Sequence, residues 1–185
     1  MAAGAEQDDH ILVAAFKDEK LKDAAFTKLV RKYQERLYWH IRRLVVTHED
    51  ANDVLQNVFI KVWRNLAEFR GDANLYTWLY RIGTNEALTW MEQQKRRTSV
   101  SLSGSEDIFS EKLTAQKDFS PSKIEWKLQQ AVQTLPEKQR IVFNLRYYDE
   151  MPYEDMAGVL GTSTGALKAS YHHAVKKVEA FLAAG

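Results

Sequence analysis

The chain has no cysteine, which excludes disulfide staples, thiolate metal sites and redox sensing through its own thiols. No apolar run approaches the ~20 residues a membrane-spanning helix needs, and the first residues lack the charged, apolar and cleavage segments of a signal peptide. No membrane span and a cytoplasmic site are therefore expected. An excess of one charge is missing too: 26 Lys and Arg stand against 25 Asp and Glu, a formal net charge of +1. Any grip on nucleic acid must then come from local patches rather than from the overall field. Phosphate-loop and zinc-protease signatures are absent, with no phosphate-cradling glycine loop and no His-Glu-x-x-His. His48, Glu49, Asp50 and Asp53 read as a charged helix start, and His172 and His173, about 100° apart on a helix, do not converge on one ion. No enzyme chemistry, metal or cofactor is expected.

Strand-like alternation is lacking as well, and what is present is helical periodicity. From Phe26 the apolar positions Leu29, Val30, Tyr33, Leu37, Tyr38, Ile41 and Val45 recur every three or four residues. A second helix starts near Glu49 and buries Val54, Leu55, Val58, Phe59, Val62, Trp63 and Leu66; Ile11 to Phe16 forms a short one, and Leu75 to Met91 a third long one. The first ten residues are expected to fray. Between Thr98 and Ser122 the chain turns serine-rich and loses its periodicity, the composition of a linker. At about 3.3 to 3.6 Å per residue it would reach roughly 80 to 90 Å. Beyond it, Ile124, Leu128, Val132 and Leu135 mark a helix that stops before Pro136, and further helices cover Gln139 to Tyr148, Tyr153 to Leu160 and Ser163 to Leu182. The fold class expected is all-α: two small helical domains, 10–97 and 123–183, joined by a flexible linker at 98–122.

Two stretches carry chemistry. From Glu68 to Arg97, Phe69, Tyr76, Trp78, Tyr80 and Trp90 are interleaved with Arg70, Arg81, Lys95, Arg96 and Arg97, a mixture that can neutralise phosphates and accept unstacked bases. At 100° per residue most of these aromatics fall on core faces, while Thr77, Arg81, Asn85 and Arg96 form a polar stripe. Near the C-terminus the spacing is that of a helix-turn-helix. Ala157 permits close approach, Gly161 allows a left-handed turn, and Leu167 sits on the inner face of the second helix. Lys168, His172 and Lys176 face outward, and no acidic residue occurs from Thr162 through Val178. Opened by Ser163 or Thr164 as N-cap, such a helix suits a major groove.

The segment Glu68-Phe69-Arg70-Gly71-Asp72-Ala73-Asn74-Leu75-Tyr76-Thr77-Trp78-Leu79-Tyr80-Arg81-Ile82-Gly83-Thr84-Asn85 closely resembles the promoter-melting segment of bacterial RNA polymerase sigma factors of the extracytoplasmic-function group. Leu135-Pro136-Glu137-Lys138-Gln139-Arg140, Tyr153-Glu154-Asp155-Met156-Ala157 and Gly165-Ala166-Leu167-Lys168 resemble the second domain of the same family, in the right order. The resemblance implies that Arg70, Gly71, Asp72, Ala73 and Asn74 form a pocket for a base flipped from the downstream (−10) element. Arg81, Asn85 and Arg96 would follow the single strand. Thr162, Ser163, Thr164, Lys168, Ala169, His172, His173 and Lys176 would read the duplex upstream (−35) element. Asp50-Ala51-Asn52-Asp53-Val54-Leu55-Gln56-Asn57-Val58-Phe59 resembles the segment that docks on the large polymerase subunit, which implies contacts from Asp50, Asp53, Gln56, Asn57 and Phe59. An anti-sigma factor masking the DNA-binding faces is a further implied partner.

The family pattern is not followed everywhere. Ala166-Leu167 stands where Thr-Val is usual, and Ser170 and His173 replace common basic positions, so bidentate Arg-to-guanine contacts are not expected from this helix. Two rival readings stay open on sequence alone. One is a free-standing helix-turn-helix regulator acting as a homodimer; the other is a helical adaptor whose basic patches meet an acidic protein.

Overall fold

The computed structural model describes residues 2–100 and 123–184, and the side chains of 8–97 and 124–184. Among the described residues all regular structure is helical. The chain divides at Val100 into two compact units, and the expected linker falls almost wholly outside the described residues.

Unit 1 comprises α1 (Ala2–Phe16), α2 (Lys22–Val45), α3 (His48–Asn65), a short 3-10 turn (Leu66–Glu68) and α4 (Leu75–Val100). Helix extends back to Ala2, further than the short segment from Ile11 that the sequence spacing suggests. Alanine favours the helical state, and α1 is tied down by Val13 and Phe16, both buried against the other helices. α2 buries Leu29, Tyr33, Leu37, Ile41 and Leu44 at the spacing read from the sequence. Gly83 of α4 faces α2, where an added Cβ would meet Leu37 at 3.5 Å, an ordinary van der Waals contact. Buried beside it, the His40 ring shares a 2.9 Å hydrogen bond with the Thr84 hydroxyl.

The turn between α2 and α3 is less orthodox. Val46 has φ 75°, a conformation that a β-branched side chain rarely adopts, and the Thr47 N–H reaches back to the Val45 carbonyl at 3.0 Å. Such strain costs about 1–3 kcal/mol. Burying the valine side chain, 3% exposed, returns a similar amount. Thr47 then caps α3 by accepting the Asp50 N–H at 3.2 Å.

Unit 2 comprises α5 (Lys123–Gln133), α6 (Glu137–Tyr147), α7 (Tyr153–Leu160) and α8 (Thr164–Ala184). Pro136 and Pro152 stand at the N-caps of α6 and α7, where a missing N–H is harmless, so α6 starts two residues earlier than the sequence spacing suggests. Ala131, Val132, Leu135, Phe143, Ala174 and Val178 form the apolar cluster that joins α5, α6 and α8.

Candidate functional site

The loop before α4 is built from residues that keep the backbone accessible. Gly71 has φ 79°, residues 70–74 are all exposed, and the Asn74 carbonyl accepts the Trp78 N–H at 3.0 Å to start the helix. Behind the loop is a recess of about 40 Å³ lined by Asp9, His10, Phe69, Gly71, Ala73, Asn74 and Leu75. A cavity of ~150 Å³ takes a benzene ring, so this recess admits the edge of a base and a whole ring only if the loop moves. Trp78 is half-buried and packs its ring 5.3 Å from Phe69, bracing the loop from beneath.

On α4, Arg81, Asn85 and Arg96 are exposed and fall on one face over a rise of about 22 Å. Thr77 does not belong to that stripe: it is 4% exposed, because the start of α4 is covered by its neighbours. Glu86, beside Asn85, is held by the Lys61 ammonium of α3, which offsets an acidic charge that would repel phosphate.

The outward face of α3 carries Asp53, Gln56 and Asn57, all exposed, with Ile60 at 43% exposure beside them. Asp50 and Phe59 are placed differently. The Asp50 carboxylate accepts the Thr47 hydroxyl as part of the helix cap, and Phe59 is half-buried, edge-on to Phe26 at 6.3 Å. Phe26 in turn meets Trp63 at 4.9 Å and Phe16 at 6.1 Å. Phe59 therefore belongs to an aromatic cluster that joins α1, α2 and α3, and the apolar group presented outward is Ile60. Its position, four residues after Gln56 and seven after Asp53, is the signal that was available in the sequence.

In unit 2 the helix-turn-helix has the expected geometry. Gly161 ends α7 at φ 64° with its N–H on the Ala157 carbonyl. Of the two candidate caps, Ser163 is the one used: its hydroxyl accepts the Ala166 N–H at 3.2 Å. Thr162, Lys168, Ala169, His172, His173 and Lys176 are exposed, Thr164 is half-buried, and Leu167, Ala174 and Val178 are buried on the opposite side. Burial pushes the Tyr171 hydroxyl above its ordinary value, with Tyr153 adding to the effect. Burial likewise lowers Arg140, against the opposing pull of Glu137. Among the described residues no cluster of three His, Asp or Glu could hold a metal ion, and no helix is long and apolar enough to cross a membrane.

Comparison with known proteins bears on these surfaces. The Sigma-70 region 2 family model matches residues 29–97, and the Sigma-70, region 4 model matches residues 125–178. The RNA polymerase sigma-H factor of Pseudomonas aeruginosa is 36% identical over 182 residues, covering 94% of this chain and 93% of its own. The ECF RNA polymerase sigma-E factor of Escherichia coli K12 is 32% identical over 179 residues, 92% of each chain. Two solved structures share the fold. CnrH in complex with the cytosolic domain of CnrY has a TM-score of 0.70 at 24% identity, covering 96% of this chain and 98% of that one. The sigma factor RpoE in complex with the anti-sigma factor NepR from Bartonella quintana has a TM-score of 0.67 at 21% identity, covering 85% and 96%. With both family regions matched in order and relatives aligned nearly end to end, the chain belongs to the extracytoplasmic-function group of sigma-70 family RNA polymerase sigma factors.

Proposed function

We propose a division of labour between the two units of this alternative sigma factor, which binds core RNA polymerase and directs it to promoters. Residues 10–97 dock on polymerase and open the downstream element, residues 98–122 connect, and residues 123–183 read the upstream duplex. Docking uses the α3 face of Asp53, Gln56 and Asn57; Asp50 supports it by capping the helix, and Phe59 by packing beneath it. The loop 70–74 captures a flipped base, for which loop movement and unstacking together must be offset by new contacts. Arg81, Asn85 and Arg96 then track the strand. On α8, Lys168, His172 and Lys176 contact the major groove and its phosphates, with Ser163 ordering the first turn.

The observation that carries the reading is the separation of faces: on α3, α4 and α8 the polar residues named by family resemblance lie opposite the buried stripes. Nucleotide chemistry belongs to the polymerase, and this chain supplies none of its own. It works where polymerase and DNA are, in the cytoplasm. An anti-sigma partner would act by covering the exposed faces of α3 and α8.

Run-off transcription with core polymerase on a genomic promoter library tests the whole. Asp53→Arg should abolish co-purification with core enzyme and transcription while far-UV circular dichroism is unchanged; normal binding by the folded variant removes α3 from the docking surface. Exchanging Asp72-Ala73-Asn74 for another family loop should change the preferred downstream base, read by permanganate footprinting, and leave upstream binding intact. An unchanged base ranking reduces the loop to a connector.

A further inference from the structure

Side chains from three helices meet at the entrance of the helix-turn-helix. Tyr153 opens α7; the Arg146 guanidinium carbon lies 5.1 Å from the centroid of its ring, and the Lys168 Nζ lies 5.6 Å from the same centroid. Arg146 is itself anchored, donating from Nη1 to the Met151 carbonyl at 3.1 Å in the α6–α7 connection. The ring is half-buried and Lys168 is exposed. A lysine on an open helix face samples many rotamers, and contacting a phosphate requires that freedom to be lost at the moment of binding. An aromatic face within about 6 Å narrows that freedom beforehand, because the ring quadrupole attracts the ammonium without consuming its three N–H donors.

We infer that Tyr153 is a positioning residue for the upstream DNA contact: its ring, steadied by Arg146, holds the Lys168 ammonium one turn into α8 so that a phosphate meets an ordered cation. The inference rests on the reading of α8 as the recognition helix. The agent is the ring face rather than the phenol hydroxyl, and the ring acts through Lys168 rather than on DNA itself.

The test uses the full chain with core polymerase and a duplex carrying the upstream element of a promoter that the wild-type protein transcribes. Binding is followed as a function of salt for Tyr153→Phe, Tyr153→Leu, Lys168→Ala and the Tyr153→Leu/Lys168→Ala pair. Tyr153→Phe should bind as wild type, and Tyr153→Leu should weaken binding about two- to fivefold. Lys168→Ala should lower the salt slope by about one, and the double variant should be no weaker than Lys168→Ala alone. Proton NMR adds a readout without DNA: the Lys168 ε-methylene should show a ring-current shift that survives Tyr153→Phe and disappears in Tyr153→Leu. Equal loss from Phe and Leu would assign the effect to the hydroxyl and overturn the inference, as would additive losses in the double variant, wild-type affinity in Tyr153→Leu or no ring-current shift. If Lys168→Ala itself binds as wild type, Lys168 leaves the interface and the inference falls with that contact; if only the Tyr153 variants are silent, the recognition-helix reading stands without it.

Discussion

The two units differ in how completely their buried polar groups are paired. In unit 1 the buried Asp9 accepts hydrogen bonds from the Tyr33 hydroxyl and the Lys32 ammonium, each at 2.6 Å, and His40 is paired with Thr84 across 44 positions of sequence. These bonds tie α1 to α2 and α2 to α4. In unit 2 the Arg140 Nη1 donates to the Gln133 Oε1 at 2.9 Å, but the Arg140 Nε, both amide atoms of Asn144 and the Gln139 Oε1 are buried with no hydrogen-bond partner among the described residues. A satisfied buried group fixes the register of helices distant in sequence, whereas an unsatisfied one costs about 1–3 kcal/mol. Unit 1 is therefore specified by polar pairs as well as packing, and unit 2 holds together through its apolar cluster despite its polar ones.

The contrast is broken most severely by removing the acceptor that unit 1 depends on. Asp9→Ala takes the shared carboxylate from the Lys32 ammonium and the Tyr33 hydroxyl, and should destabilise unit 1 by about 2–3 kcal/mol. Urea unfolding followed by tryptophan fluorescence reads this selectively, since Trp39, Trp63, Trp78 and Trp90 lie in unit 1 and only Trp126 lies in unit 2. A midpoint unchanged from wild type would mean that the Asp9 hydrogen bonds contribute nothing to the stability of the unit.

Asn144→Leu should do the reverse in unit 2. It replaces a fully buried amide by an apolar group of the same branching and heavy-atom count, and a gain of about 1–2 kcal/mol is expected if the two bulkier methyls are accommodated. Hydrogen-exchange mass spectrometry on α6 peptides would show it as slower exchange. A loss instead would show that the amide is satisfied in solution.

Alkaline pH sharpens the comparison further. Burial, followed by the hydrogen bond to Asp9, raises the Tyr33 pKa far above the unfolded value of 10.0. Below pH 10 both states hold the proton and the contribution of Tyr33 is complete. As pH rises past 10 the unfolded chain loses the proton while the folded one keeps it, so stability falls with increasing pH. Unit 1 should weaken progressively above pH 10, and Tyr33→Phe, at a cost of about 1 kcal/mol at neutral pH, should flatten that fall. The smallest effect is expected at the exposed cap of α8: Ser163→Ala should lower unit 2 stability by about 0.5–1 kcal/mol, seen as fraying in exchange of residues 164–168.

Much of this architecture was legible in the chain because helical periodicity is a local property. The apolar spacing of α2, α3 and α8 depends only on 3.6 residues per turn, and the stops at Pro136 and Gly161 depend only on what those residues permit in the backbone. The loop 70–74 was placed by its resemblance to the family's promoter-melting segment, and its glycine and short polar residues suit an exposed, tightly turned backbone. What the sequence could not decide is which neighbour covers a given side chain. Thr77 continues a polar stripe in one dimension and is buried in three; Phe59 continues a docking motif and instead packs on Phe26, leaving Ile60 outward. The helical reach of α1 back to Ala2, its partnership with Tyr33 and Lys32, and the meeting of Arg146, Tyr153 and Lys168 all join residues separated by a turn or a whole helix. Sequence by itself determined the central turns of the helices, since these follow from spacing along one strand of chain. Tertiary structure alone decided which polar groups are satisfied and which surfaces stay free, because burial and pairing depend on how helices close in space.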